Sequence, residues 1–207
     1  MERFIPQIDA IEKALAGAKT TEPSSDFDLN QDQPKFLPSE LRNAAVLIPL
    51  FAGPNGLEVI FTKRSTAMRH HPGQISFPGG KQDVTDTSLA HTALREAEEE
   101  IGLGQKDVKM IGALPKHVTV TSFLVRPYVG LVPDDFKAKL STGEVSEIFT
   151  APLNHLLHSE NYQIEGRIWQ GQQRYYFTVP YGPYYIWGAT ARMLRMLADI
   201  VGNQDAY

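Results

Sequence analysis

Three closely spaced glutamates, Glu96, Glu99 and Glu100, are the residues whose types and spacing could do chemistry. In an α-helix each residue turns by about 100°, so these carboxylates share a face about 100° wide, and Glu98 points away. Hard divalent cations such as Mg²⁺ prefer carboxylate oxygens, together with substrate phosphates. An arbitrary glutamate-rich helix is more often a solvated acidic face. Repulsion between Glu96 and Glu100 at i and i+4 favours the cation-binding interpretation here.

The helix that positions these glutamates also needs a buried face and a start. Its apolar side chains form a separate stripe, which predicts a helix seated on a core. The stripe consists of Ala90, Ala93, Leu94, Ala97 and Ile101. Before the helix, 85–88 supplies candidate N-cap residues, and we interpret Asp86 as a cap rather than a metal ligand.

Several residues of this stretch resemble a known family signature. Its pattern is the Nudix box, G-x5-E-x7-R-E-U-x-E-E-x-G-U, where U is aliphatic. The second half matches fully, with Ala97 and Leu103 at the aliphatic positions. The first half departs from the pattern, because Asp86 replaces glutamate and eight residues separate it from Arg95. The matching residues are Gly80, Arg95, Glu96, Glu99, Glu100 and Gly102.

The residues upstream narrow this resemblance to one branch of the family. The stretch 61–80, FTKRSTAMRHHPGQISFPGG, is similar to the signature that precedes the box in coenzyme A diphosphatase-like Nudix hydrolases. That branch also tends to carry GGK-x-D-x-x-D, which 79–86 matches. Near the C-terminus, IWGATAR at 186–192 resembles another stretch of the branch.

The resemblance implies an α/β fold, the Nudix α/β/α sandwich with a mixed β-sheet, an N-terminal helical arm and a C-terminal helix. We expect an N-terminal helix and irregular connector over 1–40, and a Nudix hydrolase domain over 41–207.

The resemblance also implies roles for individual residues. Glu96, Glu99, Glu100 and the carbonyl of Gly80 would hold Mg²⁺ or Mn²⁺, and Arg95 would orient carboxylates. The general base stays open between Glu96, Glu99 and Glu144. Glu144 is the candidate for a further acid beside the metal, ahead of Glu147, and a solvated strand-end glutamate is the alternative. Substrate binding is assigned to Arg64, Arg69 and Gln74, whose side chains could donate to phosphate.

The implied activity is metal-dependent hydrolysis of the diphosphate linkage of coenzyme A or its derivatives. The products would be adenosine 3′,5′-bisphosphate and 4′-phosphopantetheine. The first alternative is a Nudix hydrolase of ADP-ribose, NADH or a nucleoside triphosphate. The second is a non-catalytic nucleotide-sensing module on the same fold, which a retained repulsive metal cluster argues against.

Bulk composition excludes several other classes. The formal charge is −4, the pI is about 5.9 and no Lys/Arg-rich run occurs, which argues against a nucleic-acid partner. The chain has no cysteine, so disulfides, zinc–thiolate sites and a thiol nucleophile are excluded. No stretch reaches ~18 consecutive apolar residues, so we expect no membrane span. Without a signal-peptide core, the expected location is the cytoplasm.

Further elements are expected to surround this site within one core. The first 18 residues predict an amphipathic helix that packs on the domain or on a second copy in a homodimer. The connector at 20–39 receives no functional role. Apolar runs at 44–51 and 57–62 predict a hairpin whose first strand is central in a sheet.

Strands are also expected at 108–114 and 123–131, with a loop at 116–122 between them. Pro127 suggests an edge or bulge in the second of these strands. A second hairpin is expected across 170–173, followed by a helix from 187 to about 201. Its aromatic and Met-rich side chains could line an adenine or pantetheine pocket, although such a stripe is more often core.

Overall fold

The computed structural model describes residues 1–18, 23–30, 37–68, 71–141, 143–169 and 171–202. The α-helices in these ranges are α1 (Ile5–Gly17), α2 (Leu89–Ile101), α3 (Leu153–Leu157) and α4 (Gly188–Gly202). The strands are β1 (Ser24–Ser25), β2 (Arg42–Ala52), β3 (Leu57–Arg64), β4 (Ile75–Ser76), β5 (Gly79–Lys81), β6 (Lys109–Ala113), β7 (His117–Val118), β8 (Phe123–Leu131), β9 (Val145–Pro152), β10 (Gln163–Trp169) and β11 (Gln172–Thr178). Short 3₁₀ turns occupy Glu2–Phe4, Pro38–Glu40, Gln105–Asp107 and Ser159–Asn161.

Within the described ranges, a nine-stranded mixed sheet forms the centre of the fold. Its main order is β1-β7-β8-β2-β3-β4, while β5, β6 and β9 pair with β2, β8 and β3 respectively. β2 pairs antiparallel with β3 and parallel with β8, which confirms the predicted hairpin and the central position of β2. β10 and β11 form a separate antiparallel hairpin whose turn is shorter than predicted, because β11 already begins at Gln172.

The two faces of the sheet bury different apolar clusters, so the prediction of one core was too simple. On β2, Ala45 and Leu47 face α2, whereas Ile48 and Leu50 belong to the cluster that contains α1 and α4 residues. Successive side chains of a strand point to opposite faces, and β2 is apolar from Ala44 to Ala52 because both of its faces are covered there. The result is the expected α/β/α sandwich.

The N-terminal and C-terminal helices pack together on one side of this sandwich. Ile8, Ile11 and Leu15 of α1 are buried in the same cluster as α4, and α1 also packs on β6. The predicted amphipathic helix therefore packs on the domain in this structure. No helix in the described ranges is long and apolar enough to cross a membrane.

Two expectations around β8 were only partly right. Pro127 lies inside the sheet, because β8 has β2 on one side and β6 and β7 on the other. The proline falls where the partner of β8 changes from β7 to β6, so its missing N–H coincides with an interruption of the ladder. The stretch 116–122 is not entirely loop either, since it contains β7.

Candidate active site

Helix α2 begins and ends with local signals that fix its glutamates relative to β5. Ser88 is the N-cap, and its Oγ accepts a hydrogen bond from the His91 N–H at 3.1 Å. Gly102 ends the helix in the left-handed region at φ 71°, where glycine carries no steric penalty. Among the predicted cap candidates, the structure thus selects Ser88, and the assignment of the cap to Asp86 was wrong.

Asp86 instead forms a buried anchor for Arg95. Arg95 Nε donates to Asp86 Oδ1 and its Nη2 donates to Oδ2, both at 3.0 Å. Thr92 Oγ1 and the Asp83 N–H also donate to Oδ2, each at 2.9 Å. The Arg95 hydrogen bonds hold the pKa of Asp86 well below its usual range, against the opposing effect of burial. This fork-to-fork geometry fixes the Arg95 guanidinium as well as neutralising it.

The same guanidinium reaches two of the predicted metal ligands. Arg95 Nη2 lies 2.9 Å from Glu96 Oε1, and Nη1 lies 3.0 Å from Glu99 Oε2. These contacts provide the geometry that the predicted orienting role of Arg95 requires. Glu98 points away as expected and accepts a hydrogen bond from Gln105 at 2.7 Å.

The three glutamates of the predicted face differ in burial. Glu100 is 4% exposed and belongs to the buried side of α2, whereas the Glu99 side chain is 57% exposed. Ala90 and Leu94, expected in the apolar stripe, are only partly buried, and Thr92 is buried in their place. The carboxylates therefore line an edge that runs from the interior to the surface.

Burial and mutual repulsion raise the pKa values of two glutamates at this edge. Burial, aided by the charges of Glu96 and Glu144, raises the pKa of Glu100 to about 8, while the charge of Arg64 acts in the opposite direction. Burial likewise raises the pKa of Glu96, with contributions from the charges of Glu99 and Glu144 and an opposing effect from Arg95. Glu144, the exposed residue just before β9, is therefore close enough to interact with the glutamates of α2.

The two glycines of β5 provide the backbone wall of the site. A Cβ on Gly79 would lie 2.5 Å from the Ala45 carbonyl oxygen and 2.7 Å from the Val46 Cα, so β2 leaves no room for it. A Cβ on Gly80 would lie 2.5 Å from Glu96 Oε1. Glycine at this position therefore lets the Glu96 carboxylate approach the β5 backbone.

These residues suit a divalent cation, although no three His, Asp or Glu side chains in the described ranges already form a ready-made metal cluster. Glu100 Oε2 is buried without a hydrogen-bond partner among the described residues. An orphaned buried carboxylate oxygen beside other carboxylates is costly unless a cation or proton compensates it. The donor set is all oxygen, as Mg²⁺ and Mn²⁺ prefer.

The remaining predicted site residues are Arg64, Arg69, Gln74 and Glu147. Arg64 and Gln74 line one large cavity, and Arg64 Nε is buried without a hydrogen-bond partner in the described part of the chain. Arg69 lies outside the described residues. Glu147 is turned to other partners, because it accepts a hydrogen bond from Tyr184 at 2.6 Å and pairs with Lys63 at 3.5 Å.

The cavity has a volume of about 740 Å³ and lies between the main sheet, the β10–β11 hairpin and the start of α4. This volume suits a ligand of nucleotide-conjugate size. Gly79 and Arg64 line the cavity on the side of the carboxylate edge. Trp187 and Met193 also line it, so the aromatic and Met-rich C-terminal stretch contributes to a pocket, as predicted. Met196, in contrast, is core.

The connector that received no functional role supplies part of the cavity wall. Ser25, Asp26 and Asn30 line the cavity. The segment is fixed by the buried His117, which lies 3.0 Å from Asp26 Oδ1 and 2.8 Å from Ser24 Oγ. The described part of the connector, 23–30, thus contributes to the cavity wall, which the prediction of a functionally silent connector did not anticipate.

Sequence reasoning missed a set of arginines that line the same cavity. They come from β2, from both strands of the hairpin and from α4, so no single stretch of sequence carries a basic run. The structure brings together Arg42, Arg167, Arg174 and Arg192. Of these four arginines, only Arg192 belongs to a stretch, 186–192, that resembles the family.

A family model for the NUDIX domain matches residues 41–169, which is more than half of the chain. The chain belongs to the Nudix family. It is therefore a Nudix hydrolase, and hydrolases of this family generally use divalent metal ions.

Similar proteins agree with this membership. A protein of Shigella flexneri serotype 5b named "Uncharacterized Nudix hydrolase NudL" is 40% identical over 179 residues, covering 86% of this chain and 92% of the relative. The protein of that name from Escherichia coli O6:H1 is 42% identical over 162 residues, covering 78% and 83%. The crystal structure of a MutT protein from Methanosarcina mazei Go1 shares the Nudix fold. It has a TM-score of 0.50 and 20% identity, and the match covers 81% of this chain and 99% of that one.

Proposed function

We propose that this Nudix hydrolase cleaves the diphosphate linkage of coenzyme A or its derivatives, releasing adenosine 3′,5′-bisphosphate and 4′-phosphopantetheine or its acyl form. The observation that carries the proposal is the arginine- and aromatic-lined cavity that joins the carboxylate edge. Coenzyme A combines a purine, a ribose phosphate, a diphosphate and an extended apolar arm. Aromatic faces suit the base, and guanidinium groups suit the phosphates.

Glu96, Glu99, Glu100 and the Gly80 carbonyl would hold Mg²⁺ or Mn²⁺ in this proposal. When bound, the cation supplies neutralisation of diphosphate charge and a lowered pKa for bound water. Arg95 keeps Glu96 and Glu99 oriented, because Asp86 fixes the guanidinium from the opposite side. Orientation before substrate arrives lowers the cost of assembling the site.

The nucleophile in this proposal is water, and the general base stays open between Glu96, Glu99 and Glu144. Glu144 is exposed and interacts electrostatically with both Glu96 and Glu100. Glu96 and Glu99, the two candidate bases on α2, differ from Glu144 because both form salt bridges with Arg95. A base that must accept a proton acts best when its carboxylate is free to reach the attacking water.

Product chromatography tests this proposal. The purified protein is incubated with Mg²⁺ or Mn²⁺ and, in parallel, with coenzyme A, ADP-ribose, NADH and a nucleoside triphosphate. We expect selective appearance of adenosine 3′,5′-bisphosphate from coenzyme A. Cleavage of another substrate alone would discard the coenzyme A assignment, and nucleotide binding without any turnover would favour the sensing module.

Arg64 offers a second check on the same site. Its position in the cavity, with a buried Nε lacking a protein partner in the described ranges, suits a contact to the substrate diphosphate. We expect Arg64→Ala to raise the Michaelis constant for coenzyme A by at least about tenfold. An unchanged Michaelis constant would remove Arg64 from substrate recognition.

A further inference from the structure

The β10–β11 hairpin places two arginines directly opposite each other. Arg167 and Arg174 are partners in the antiparallel register, and both line the cavity. Directly opposed side chains on one sheet face have Cβ atoms about 4.5–5.5 Å apart, and like charges there are destabilising. A pair of this kind is favourable when an anion binds between the two guanidinium groups.

Aromatic rings hold Arg167 in place. Its guanidinium lies 4.3 Å from the centroid of the Trp187 ring and 5.7 Å from that of Tyr176. Glu165, two residues earlier on the same strand face, is occupied by a hydrogen bond from Tyr185 Oη at 2.7 Å. Stacking on aromatic rings orients a guanidinium without neutralising it, so Arg167 keeps its full charge toward the cavity.

The charges around the cavity leave a cationic excess among the described residues. Asp26 is the carboxylate that lines it, and this residue already accepts a hydrogen bond from the Val120 N–H at 2.9 Å and contacts His117. Arg192 pairs with Asp28 at 3.1 Å. The opposed arginines of the hairpin thus face a cavity that favours an anionic ligand.

We propose that Arg167 and Arg174 form a phosphate subsite that binds a phosphomonoester on the ribose of the nucleotide, separate from the position of the diphosphate. The assignment of that phosphate to coenzyme A rests on the proposed function. A phosphomonoester carries a charge of about −1.5 to −2 at neutral pH, which two guanidinium groups match.

The two arginines of the subsite and Arg64 belong to different walls of the cavity. Arg64 interacts electrostatically with Glu100 at the carboxylate edge, whereas Arg167 and Arg174 belong to a two-stranded sheet that is distinct from the sheet carrying β5. A substrate that spans the cavity would therefore contact these arginines through a different group. Recognition of that group would select nucleotides with an additional ribose phosphate.

Steady-state kinetics with coenzyme A and 3′-dephospho-coenzyme A test this subsite. The variants are Arg167→Gln and Arg174→Gln, and Arg195→Gln is the matched control, because Arg195 pairs with Asp199 on the surface of α4. We expect the ratio of kcat/KM for coenzyme A to that for the dephospho form to fall at least about tenfold in both hairpin variants and to stay constant in the control. An unaltered ratio in both hairpin variants would overturn the subsite.

Calorimetric binding of adenosine 3′,5′-bisphosphate, adenosine 2′,5′-bisphosphate and adenosine 5′-monophosphate provides a readout independent of turnover. We expect a bisphosphate to bind at least about tenfold more tightly than the monophosphate, and Arg167→Gln to remove this preference. A preference without coenzyme A cleavage, or one for the 2′-phosphate, would retain the subsite and reject the proposed function. Equal binding of all three nucleotides would reject the subsite even if coenzyme A is cleaved.

Urea unfolding of each variant separates local from global effects. Arg167→Lys keeps the charge but changes the planar contacts with Trp187 and Tyr176, so we expect it to recover part of the preference for a bisphosphate. A variant with a native unfolding midpoint and a lost preference supports the subsite. A preference retained by folded Arg167→Gln and Arg174→Gln proteins contradicts it.

Discussion

Arg95 arranges the acidic groups on and before α2. It contacts buried Asp86 through two hydrogen bonds and also reaches Glu96 and Glu99. Asp86 stands where the family pattern has glutamate, and its side chain is one carbon shorter. Asp86 accepts hydrogen bonds from Thr92 Oγ1 and from the Asp83 N–H, which hold its carboxylate beside the guanidinium. The departure from the box thus retains an acid in contact with Arg95.

Replacing Asp86 should affect stability in a pH-dependent way. Asp86→Asn deprives the partly buried Arg95 of its one fully buried ionic partner, although Glu96 and Glu99 remain, so we expect a loss of about 3 kcal/mol in the free energy of unfolding at pH 7. The folded-state pKa of Asp86 is lowered, so its contribution is complete well above the unfolded value of 3.8 and is lost as the pH falls below it. Urea titrations from pH 7 to pH 3 should show the difference between wild type and variant narrowing. A constant or widening difference would contradict this account of Asp86.

Glu100 and Glu98 make a matched pair for testing the metal site. Glu100→Gln replaces a candidate carboxylate ligand with an amide that binds a divalent cation more weakly, so we expect turnover to fall at least ~100-fold while the fold persists. Glu98 faces Gln105 instead, and Glu98→Gln should change turnover less than about twofold. Initial rates at saturating Mg²⁺, with circular dichroism of both variants, make the comparison. Equal losses would refute the assignment of the helix faces.

At the scale of elements, the turn that leads from β4 through β5 to α2 combines a folding constraint with a functional one. Gly79 faces the backbone of β2, whereas Gly80 faces the end of the Glu96 side chain. Backbone atoms cannot move without disturbing the sheet, but a carboxylate at the end of a flexible chain can. The two adjacent glycines are therefore required for different reasons.

Alanine substitutions should separate these two reasons. We expect Gly79→Ala to lower the free energy of unfolding by more than about 2 kcal/mol, because β2 would have to shift. Gly80→Ala should cost less than about 1 kcal/mol, yet lower kcat at least about tenfold by displacing Glu96. Urea unfolding and initial rates on both variants provide the test. A stable, fully active Gly80→Ala protein would show that the close approach of Glu96 to β5 is dispensable.

The β10–β11 hairpin and the connector residues 23–30 show how peripheral elements complete the cavity. Asn30 donates to the Tyr175 carbonyl oxygen at 2.9 Å and accepts from the Tyr175 N–H at 2.8 Å. The connector therefore binds the edge of β11 as a partial strand would. This contact joins a segment near the N-terminus to one far along the chain and fixes the wall that carries Arg174.

At the scale of the whole molecule, the N-terminal helix is part of the hydrophobic core. Its buried residues join the cluster of α4, and α4 begins at the cavity. The family model matches only 41–169, so both helices that pack here lie outside the matched segment. The division into 1–40 and 41–207 remains a prediction, and the cavity depends on residues from both parts.

Two isoleucines of α1 that differ in burial test this dependence. Ile11 is 2% exposed, and Ile11→Ala should lower the free energy of unfolding by about 2–5 kcal/mol through the cavity that it creates. Ile5 is 50% exposed, and Ile5→Ala should change it by less than about 0.5 kcal/mol. Denaturant unfolding of both variants measures the contrast. Similar small effects would show that α1 contributes little to the fold.

The sequence by itself determined those features that depend on near neighbours in the chain. The pattern of residues along a helix or strand predicts three of these features. They are the different directions of the Glu96 and Glu98 side chains, the central position of β2 and the amphipathic character of α1. The Nudix pattern is likewise a local spacing of residues around one turn and one helix. These predictions held because backbone geometry converts short-range spacing directly into direction.

Only the tertiary structure decided which distant residues meet. The buried contact between Asp86 and Arg95, the position of Glu144 near Glu96 and the arginine-lined cavity depend on how separate strands pair and how the hairpin lies against the sheet. The interior position of Pro127 depends on which strand lies beside each part of β8. Such contacts are set by long-range packing, and residues that are scattered along the chain leave no local signal that they will converge.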